Sequence, residues 1–354
     1  MRCKPGKDAS LVAYIIRAHA RAEKSEDPAG PLEGTDLLTK LLSTRDAYGR
    51  TLLNLGRENP DIVVLDADLS SSTKTGLFAA EFPERHFEMG IAEANMIGTA
   101  AGLASCGKIP FASTFAVFAT CRAFDQLRMS VAYPNLNVKV VATHGGITVG
   151  EDGASHHAIE DIALACALPN FVVIVVADAR ETEEAIRAVA EHVGPAYVRL
   201  LRPSVPVIYE DECDFVIGRS IQLLEGGDVT IIANGLMVSR ALEAAGVLSD
   251  QGIRSRVLDM HTVKPLDREA VGRAAVETGA IVTAEEHVLH GGLGTAVAQA
   301  VAESRPVPMR FVAIKDQYAR SGPPEELLEI YGLTAQEIVA AVKEVLEEKP
   351  AQRT

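Results

Sequence analysis

A doubly wound α/β fold in two units is what this sequence predicts, on two observations. Short runs of β-branched and apolar residues alternate with helix-period segments from about residue 35 onward, and those runs are apolar nearly throughout instead of at every second position. Strands of that kind are buried on both faces, as in a parallel sheet with helices on either side. In the first unit the helical segment 37–58 precedes a strand at 62–65, 92–105 precedes 110–115, and 117–133 precedes 138–141. The alternation continues through strand 171–176, helix 181–192 and strand 196–201. A charged crossing with Pro203 and Pro206, running into 210–214, leads to a smaller second unit. Its strands are expected at 229–233, 255–258, 280–284 and 309–314, and its helices at 238–249, 268–278, 293–303 and 335–347. The expected organisation is an N-terminal extension over 1–35, a first domain over 36–205 and a second over 215–348. No segment recurs with a period of roughly 20–50 residues, which excludes solenoids and propellers.

Composition narrows the function classes. With 354 residues, 47% of them hydrophobic, the chain can bury sizeable cores. Its 48 acidic against 34 basic residues give a formal charge of −14, which argues against nucleic acid or an anionic membrane as partner. The cysteines stand singly at Cys3, Cys106, Cys121, Cys166 and Cys213, neither a disulfide framework nor a paired zinc site, and a reducing cytoplasm is expected. Apolar stretches such as 171–177 fall far short of the roughly 18 residues that cross a bilayer. In the extension, Glu23, Glu26 and Asp27 speak against a targeting peptide, and Pro28-Ala29-Gly30-Pro31 reads as a linker.

Ligands of open parallel sheets bind at the carboxyl ends of the strands, so the loops there are where chemistry is sought. Four are unusual. The first is Asp66-Ala67-Asp68-Leu69-Ser70-Ser71-Ser72-Thr73, with two carboxylates and a hydroxyl cluster. The second, Gly90-Ile91-Ala92-Glu93-Ala94-Asn95-Met96, puts an acid in the first turn of an otherwise small and apolar helix. Third comes Phe115-Ala116-Val117-Phe118, two aromatics three residues apart in a chain only 5% aromatic. The fourth runs from His144 to His157 and holds three of nine histidines with Asp152 in what reads as a flexible, glycine-rich loop. Each alone has a plain structural reading: Glu93 as a helix N-terminal charge, the phenylalanines as core, and 70–72 as a turn.

Their joint order is specific. Gly90-Ile91-Ala92-Glu93-Ala94-Asn95-Met96 is followed by Ser113-Thr114-Phe115-Ala116-Val117-Phe118 with Arg122-Ala123-Phe124-Asp125-Gln126. Thr143-His144 and Gly150-Glu151-Asp152-Gly153-Ala154-Ser155-His156 come next. This succession resembles the pyrimidine-binding domain of transketolases. Asp259-Met260-His261-Thr262-Val263-Lys264-Pro265-Leu266-Asp267 and Glu285-Glu286-His287 ahead of Gly291-Gly292-Leu293-Gly294 resemble their C-terminal domain, a smaller mixed-sheet unit.

The resemblance implies thiamine diphosphate as cofactor. It implies Glu93 as the carboxyl that shares a proton with the pyrimidine nitrogen, in an apolar setting supplied by the helix behind it. Phe118 would be the stacking aromatic, with Phe115 and Ile91 lining the same pocket and Asp68 near the thiazolium side. His144, Asp152 and His156 match positions that meet the sugar hydroxyls and terminal phosphate, His144 and His156 with catalytic roles. Arg45, Ser72 and Arg202 match a phosphate clamp, where arginine offers bidentate anion recognition. Cys121 departs from the family pattern in the pyrimidine pocket.

The family's Gly-Asp-Gly metal motif, followed downstream by Asn, does not occur: Glu151-Asp152-Gly153 lacks the first glycine and Gly227-Asp228-Val229 the last. The implied protein is therefore the C-terminal subunit of a split transketolase. It would pair with an N-terminal subunit that carries the diphosphate site and the Mg2+ ligands, and self-associate through both of its own domains into a heterotetramer acting on sugar phosphates. Rival readings are the beta subunit of a 2-oxo acid dehydrogenase decarboxylase, a 1-deoxy-xylulose 5-phosphate synthase-like enzyme, and a catalytically silent assembly partner.

Overall fold

In a computed structural model the structure describes residues 40–209 and 213–349; the extension 1–35, the start of the predicted helix 37–58 and residues 210–212 of the crossing lie outside the described residues. The first sheet is built on the strands β2 (Ile62–Asp66), β3 (His86–Glu88), β4 (Ile109–Phe115), β5 (Lys139–Thr143), β6 (Val172–Val175) and β7 (Ala196–Arg199). They run parallel in the order β6-β7-β5-β4-β2-β3. Helices cover both faces. Ile62 and Val64 pack with Tyr48 and Leu52 of α1 (Thr44–Glu58) and with Ile186 and Val189 of α6 (Ala179–Glu191). Leu65 and Val140 turn the other way, toward Met96 and Ile97 of α4 (Glu93–Ser105). The short helices α2 (Ser70–Thr73), α3 (Gly76–Glu81) and α5 (Asp161–Ala167) fill the loops between them.

The second sheet has five strands in the order β14-β13-β10-β11-β9: β9 (Ile221–Leu224), β10 (Val229–Ala233), β11 (Ser255–Asp259), β13 (Ile281–Val288) and β14 (Met309–Ile314). All pair parallel except β9, which is antiparallel to β11. Its helices are α7 (Met237–Asp250), α8 (Arg268–Glu277), α9 (Leu293–Ser304), α10 (Pro324–Ile330) and α11 (Ala335–Glu347). The expected pair of doubly wound units, one parallel and one mixed, is what the structure shows.

Several expectations are corrected. Residues 41–43 are not the start of a helix but a strand, β1 (Leu41–Ser43), paired antiparallel with β8 (Ser204–Pro206). The helix begins one residue later because the Ser43 side chain accepts the Asp46 N–H and caps it. Within 117–133, Phe118–Arg122 and Leu127–Ala132 are π-helical around a short α piece, Phe124–Gln126. A further strand, β12 (Thr262–Lys264), leaves the second unit and pairs antiparallel with β6 at the edge of the first sheet. Three-residue strands carry too little periodicity to be read from sequence.

The two sheets meet across buried charge. The Arg199 guanidinium, fully buried, lies 3.0 Å from the Asp161 carboxylate and donates to the carbonyls of Ala158 and, at 2.9 Å, Glu286. Glu286 in turn accepts the Thr148 N–H at 2.7 Å. Nearby, Tyr209 donates to Asp259 Oδ2 and the Ala177 N–H donates to Glu181 Oε2. The remaining oxygens, Glu181 Oε1 and Asp259 Oδ1, take no bond from any described group, and the burial of two neighbouring carboxyls disfavours ionising both. Burial pushes Asp259 up to about 7 and Glu181 well above the carboxylate range.

The folded chain thus holds a proton that the unfolded chain releases above about pH 4, so this pair costs stability progressively as pH climbs from about 4 to about 7. Asp259→Asn is expected to reduce that slope by removing one of the two raised carboxyls. In denaturant unfolding, the variant should gain on the wild type by on the order of 1–3 kcal/mol between pH 5 and pH 8; a pH-independent gap would contradict a buried, raised Asp259 carboxyl.

Candidate functional site

The four unusual loops come together at the carboxyl ends of β2, β4 and β5, three adjacent strands, and at the N-terminus of α4. At the end of β2, Asp66 is buried and accepts hydrogen bonds from Thr73 Oγ1 at 2.6 Å, Thr75 Oγ1 at 2.8 Å and the Leu69 N–H at 2.7 Å. Burial still outweighs those bonds and pushes its carboxyl up to about 6. This carboxylate folds the loop that carries Asp68 and Ser72.

Phe115 closes β4, and Phe118 follows on the π-helical turn, their rings nearly parallel with centroids 5.7 Å apart. The His144 imidazole stacks on Phe115 at 3.7 Å, and His156 meets Phe118 edge-on at 5.3 Å. His144 takes a left-handed backbone (φ 59), uncommon for a residue with a Cβ, which turns its ring toward Phe115. Its Nδ1 bonds Thr143 Oγ1 at 2.8 Å. Burial, together with the positive charge of Arg45 and Arg202, holds its pKa down to about 3, so the ring is neutral at physiological pH.

Glu93, the first residue of α4, is buried, and its Oε1 lies 2.9 Å from Nη1 of the half-exposed Arg122. The same guanidinium sits 4.0 Å over the Phe118 ring. The carboxyl expected against a purely apolar helix therefore has a charged partner, because the π-helical turn brings Arg122 back over Phe118.

On the opposite flank, Arg45 donates from Nη1 to the Ser72 carbonyl and from Nη2 to the Arg202 carbonyl, both at 2.9 Å. Its Nε is buried with no described partner. Arg202 bonds the Val149 carbonyl and reaches Glu151 at 3.2 Å. The loop from His144 is not the open, flexible segment expected: residues 144–150 are all buried, and 147–152 form a 3-10 turn. Close approach of the second unit is the reason, since a Cβ at Gly146 (φ 83) would fall 2.1 Å from the Glu286 carboxyl carbon. His157 within it bonds the Gly150 carbonyl at 3.0 Å.

Residues 40–207 match the family described as transketolase, pyrimidine binding domain, and residues 218–338 match transketolase, C-terminal domain. The chain belongs to the transketolase family. It is 48% identical to a transketolase C-terminal section of Methanocaldococcus jannaschii over 86% of this chain and 96% of that protein. It is 46% identical to a 6-deoxy-6-sulfo-D-fructose transketolase subunit from Clostridium sp. over 86% of this chain and 95% of that one. Among solved structures it superposes on a split gene transketolase, an inactive β4 tetramer, with a TM-score of 0.81 at 53% identity, covering 88% of this chain and all of that one.

Membership of the pyrimidine-binding family implies thiamine diphosphate as the transketolase cofactor. The residues fit its pyrimidine half, for an aromatic face at Phe118 and a buried carboxylate at Glu93 stand side by side, both within reach of one planar cation. Among the described residues, no cluster of three or more His, Cys, Asp or Glu side chains is placed to hold a metal ion.

Of the residues expected from sequence, Glu93, Phe115, Phe118, His144 and His156 form one contiguous cluster, and Arg45, Ser72 and Arg202 form a second beside His144. Ser72 enters the second cluster through its carbonyl. Asp68, Ile91 and Asp152 are not brought into either cluster: Asp68 is exposed in a left-handed turn, Ile91 is 74% exposed, and Asp152 lies on the surface near His157. Cys121 faces Glu160, with Sγ 3.8 Å from Oε1, and burial raises its thiol above the usual range. Sequence reasoning missed Arg122 and Asp66 as parts of the site. Arg122 stands in the sequence only as one member of a motif, and the signal that points to Asp66 is an acid closing an apolar strand ahead of four hydroxyl residues, Ser70 to Thr73.

Proposed function

We propose that the chain is the C-terminal subunit of a split transketolase that transfers a two-carbon ketol unit between sugar phosphates or similarly anionic sugars. On this reading it works with a separate N-terminal subunit carrying the diphosphate and Mg2+ site, in an assembly of two such pairs. The observation that carries it is the convergence of Glu93, Phe118, Phe115, His144 and His156 in one cluster beside the Arg45 and Arg202 guanidiniums. The near-complete coverage of the two split-type relatives supports the subunit reading over a fused enzyme. The solved relative's description as an inactive β4 tetramer agrees with a chain that needs a second one.

Bound thiamine diphosphate would supply the carbanion chemistry, and this chain would supply orientation and proton control. Glu93 would hold a proton at the pyrimidine ring nitrogen. Phe118, backed by Phe115, would fix the ring plane. His144, held neutral by burial and its cationic neighbours, can donate and accept at a sugar hydroxyl without changing charge, and His156 would complete that contact. The exposed Asp68, Ile91 and Asp152 would reach cofactor and substrate only once the partner surface closes over them. Arg45 and Arg202 would present an anion clamp; the free Nε of Arg45 is a donor still to be satisfied.

The test is reconstitution with a diphosphate-domain chain, thiamine diphosphate and Mg2+, with ketol transfer followed from a ketose phosphate and, separately, a sulfonated ketose to an aldose phosphate. Transfer by the mixture and by neither chain alone is expected. An inactive mixture that nonetheless assembles would favour the silent-partner reading.

A further inference from the structure

We propose that Arg122 is a positioning residue that holds the place of the cofactor's aminopyrimidine, pairing with Glu93 and covering Phe118 until the ring displaces it. The inference deepens the reading above and rests on its assignment of Glu93 and Phe118.

The guanidinium makes both contacts assigned to the pyrimidine. It donates to Glu93 Oε1 at 2.9 Å and lies with Cζ 4.0 Å from the Phe118 ring centroid. A guanidinium and an aminopyrimidine share the features these partners recognise: a flat π-system whose face stacks while an in-plane nitrogen meets the carboxyl edge-on, as an N–H donor in the guanidinium and across a shared proton in the pyrimidine. One planar group can take that position at a time. The local fold puts Arg122 there, since Phe118–Arg122 is a π-helical turn, wider than an α turn, and its last residue returns over its first. Arg122 is also free to leave: its side chain is 50% exposed, whereas Glu93 is 5% exposed and stays where the helix start fixes it. The arginine thus keeps a buried carboxyl paired and an aromatic face covered.

Occupancy of this kind lowers apparent cofactor affinity by the stability of the contact that must be broken. The experiment is calorimetric titration of thiamine diphosphate with Mg2+ into the reconstituted pair, comparing wild type with Arg122→Gln and Arg122→Lys. Arg122→Gln is expected to bind about fivefold more tightly, the scale of an exposed ion pair together with a cation–π contact. Arg122→Lys, which keeps the charge but not the flat stack, should fall between. The difference between wild type and Arg122→Gln should shrink as salt screens the Glu93 pair, a response that a purely structural arginine would not give.

Equal or weaker binding by Arg122→Gln, with thermal unfolding of the variant unchanged, would overturn the proposal. Absence of binding to the wild-type pair itself would overturn the assignment of Glu93 and Phe118, and this inference with it.

Discussion

Glu93→Gln is expected to lower ketol transfer by the reconstituted enzyme by about 10²–10⁴-fold, the usual worth of a positioned proton donor and acceptor. Gln keeps the size of the side chain and can still accept a hydrogen bond from Arg122, so the start of α4 and its packing through Met96 and Ile97 should survive. What Gln cannot do is give and take a proton at the cofactor's ring nitrogen. The loss should therefore fall on kcat, with the KM for sugar substrate little changed, because substrate recognition is assigned to His144, His156 and the two arginines. Steady-state kinetics checks this, with the unfolding midpoint as control. Activity within a fewfold of wild type would remove Glu93 from the mechanism.

The largest stability effect is expected at Arg199. Its guanidinium is fully buried between the two sheets, with Asp161 at 3.0 Å, the Glu286 carbonyl at 2.9 Å and the Ala158 carbonyl at 3.2 Å. Asp161 also accepts from the Tyr197 hydroxyl at 2.7 Å, and Glu286 Oε2 has no described partner, so both carboxylates depend on this one cation. Arg199→Met would leave them buried without a compensating charge, at a cost of about 3–5 kcal/mol. Because Glu286 also holds the Thr148 N–H, the loop that carries His144 should loosen with it. Denaturant unfolding should show the loss of stability, and amide exchange should show lost protection over 144–150. A variant that loses less than about 1 kcal/mol would mean that the pair is not what ties the sheets together.

Much of this was legible in the sequence, and the limits have physical reasons. Strands β2, β4 and β10 fall within about a residue of where the apolar runs put them, because a strand buried on both faces must be largely apolar. The short strands β1, β8 and β12 escaped, since their pairing is decided by distant segments; β12 is paired by β6, about 90 residues earlier in the chain. The clustered site residues were legible as a succession of motifs whose strands turn out to be neighbours. The Arg122–Glu93 pair was not, because 29 residues separate its members and only the π-helical turn aims the guanidinium. The His144 loop was misread as flexible because its glycines signal freedom in isolation. Here they mark close approach, Gly145 to Arg199 and Gly146 to Glu286.

A cofactor site shared between this chain and a second one is best tested by calorimetry. Thiamine diphosphate with Mg2+ is titrated into this chain alone, and then into its mixture with a diphosphate-domain chain. Binding by the mixture with none by the chain alone is the result expected. Tight, Mg2+-dependent binding to this chain alone would place the diphosphate and metal site here and contradict a shared site.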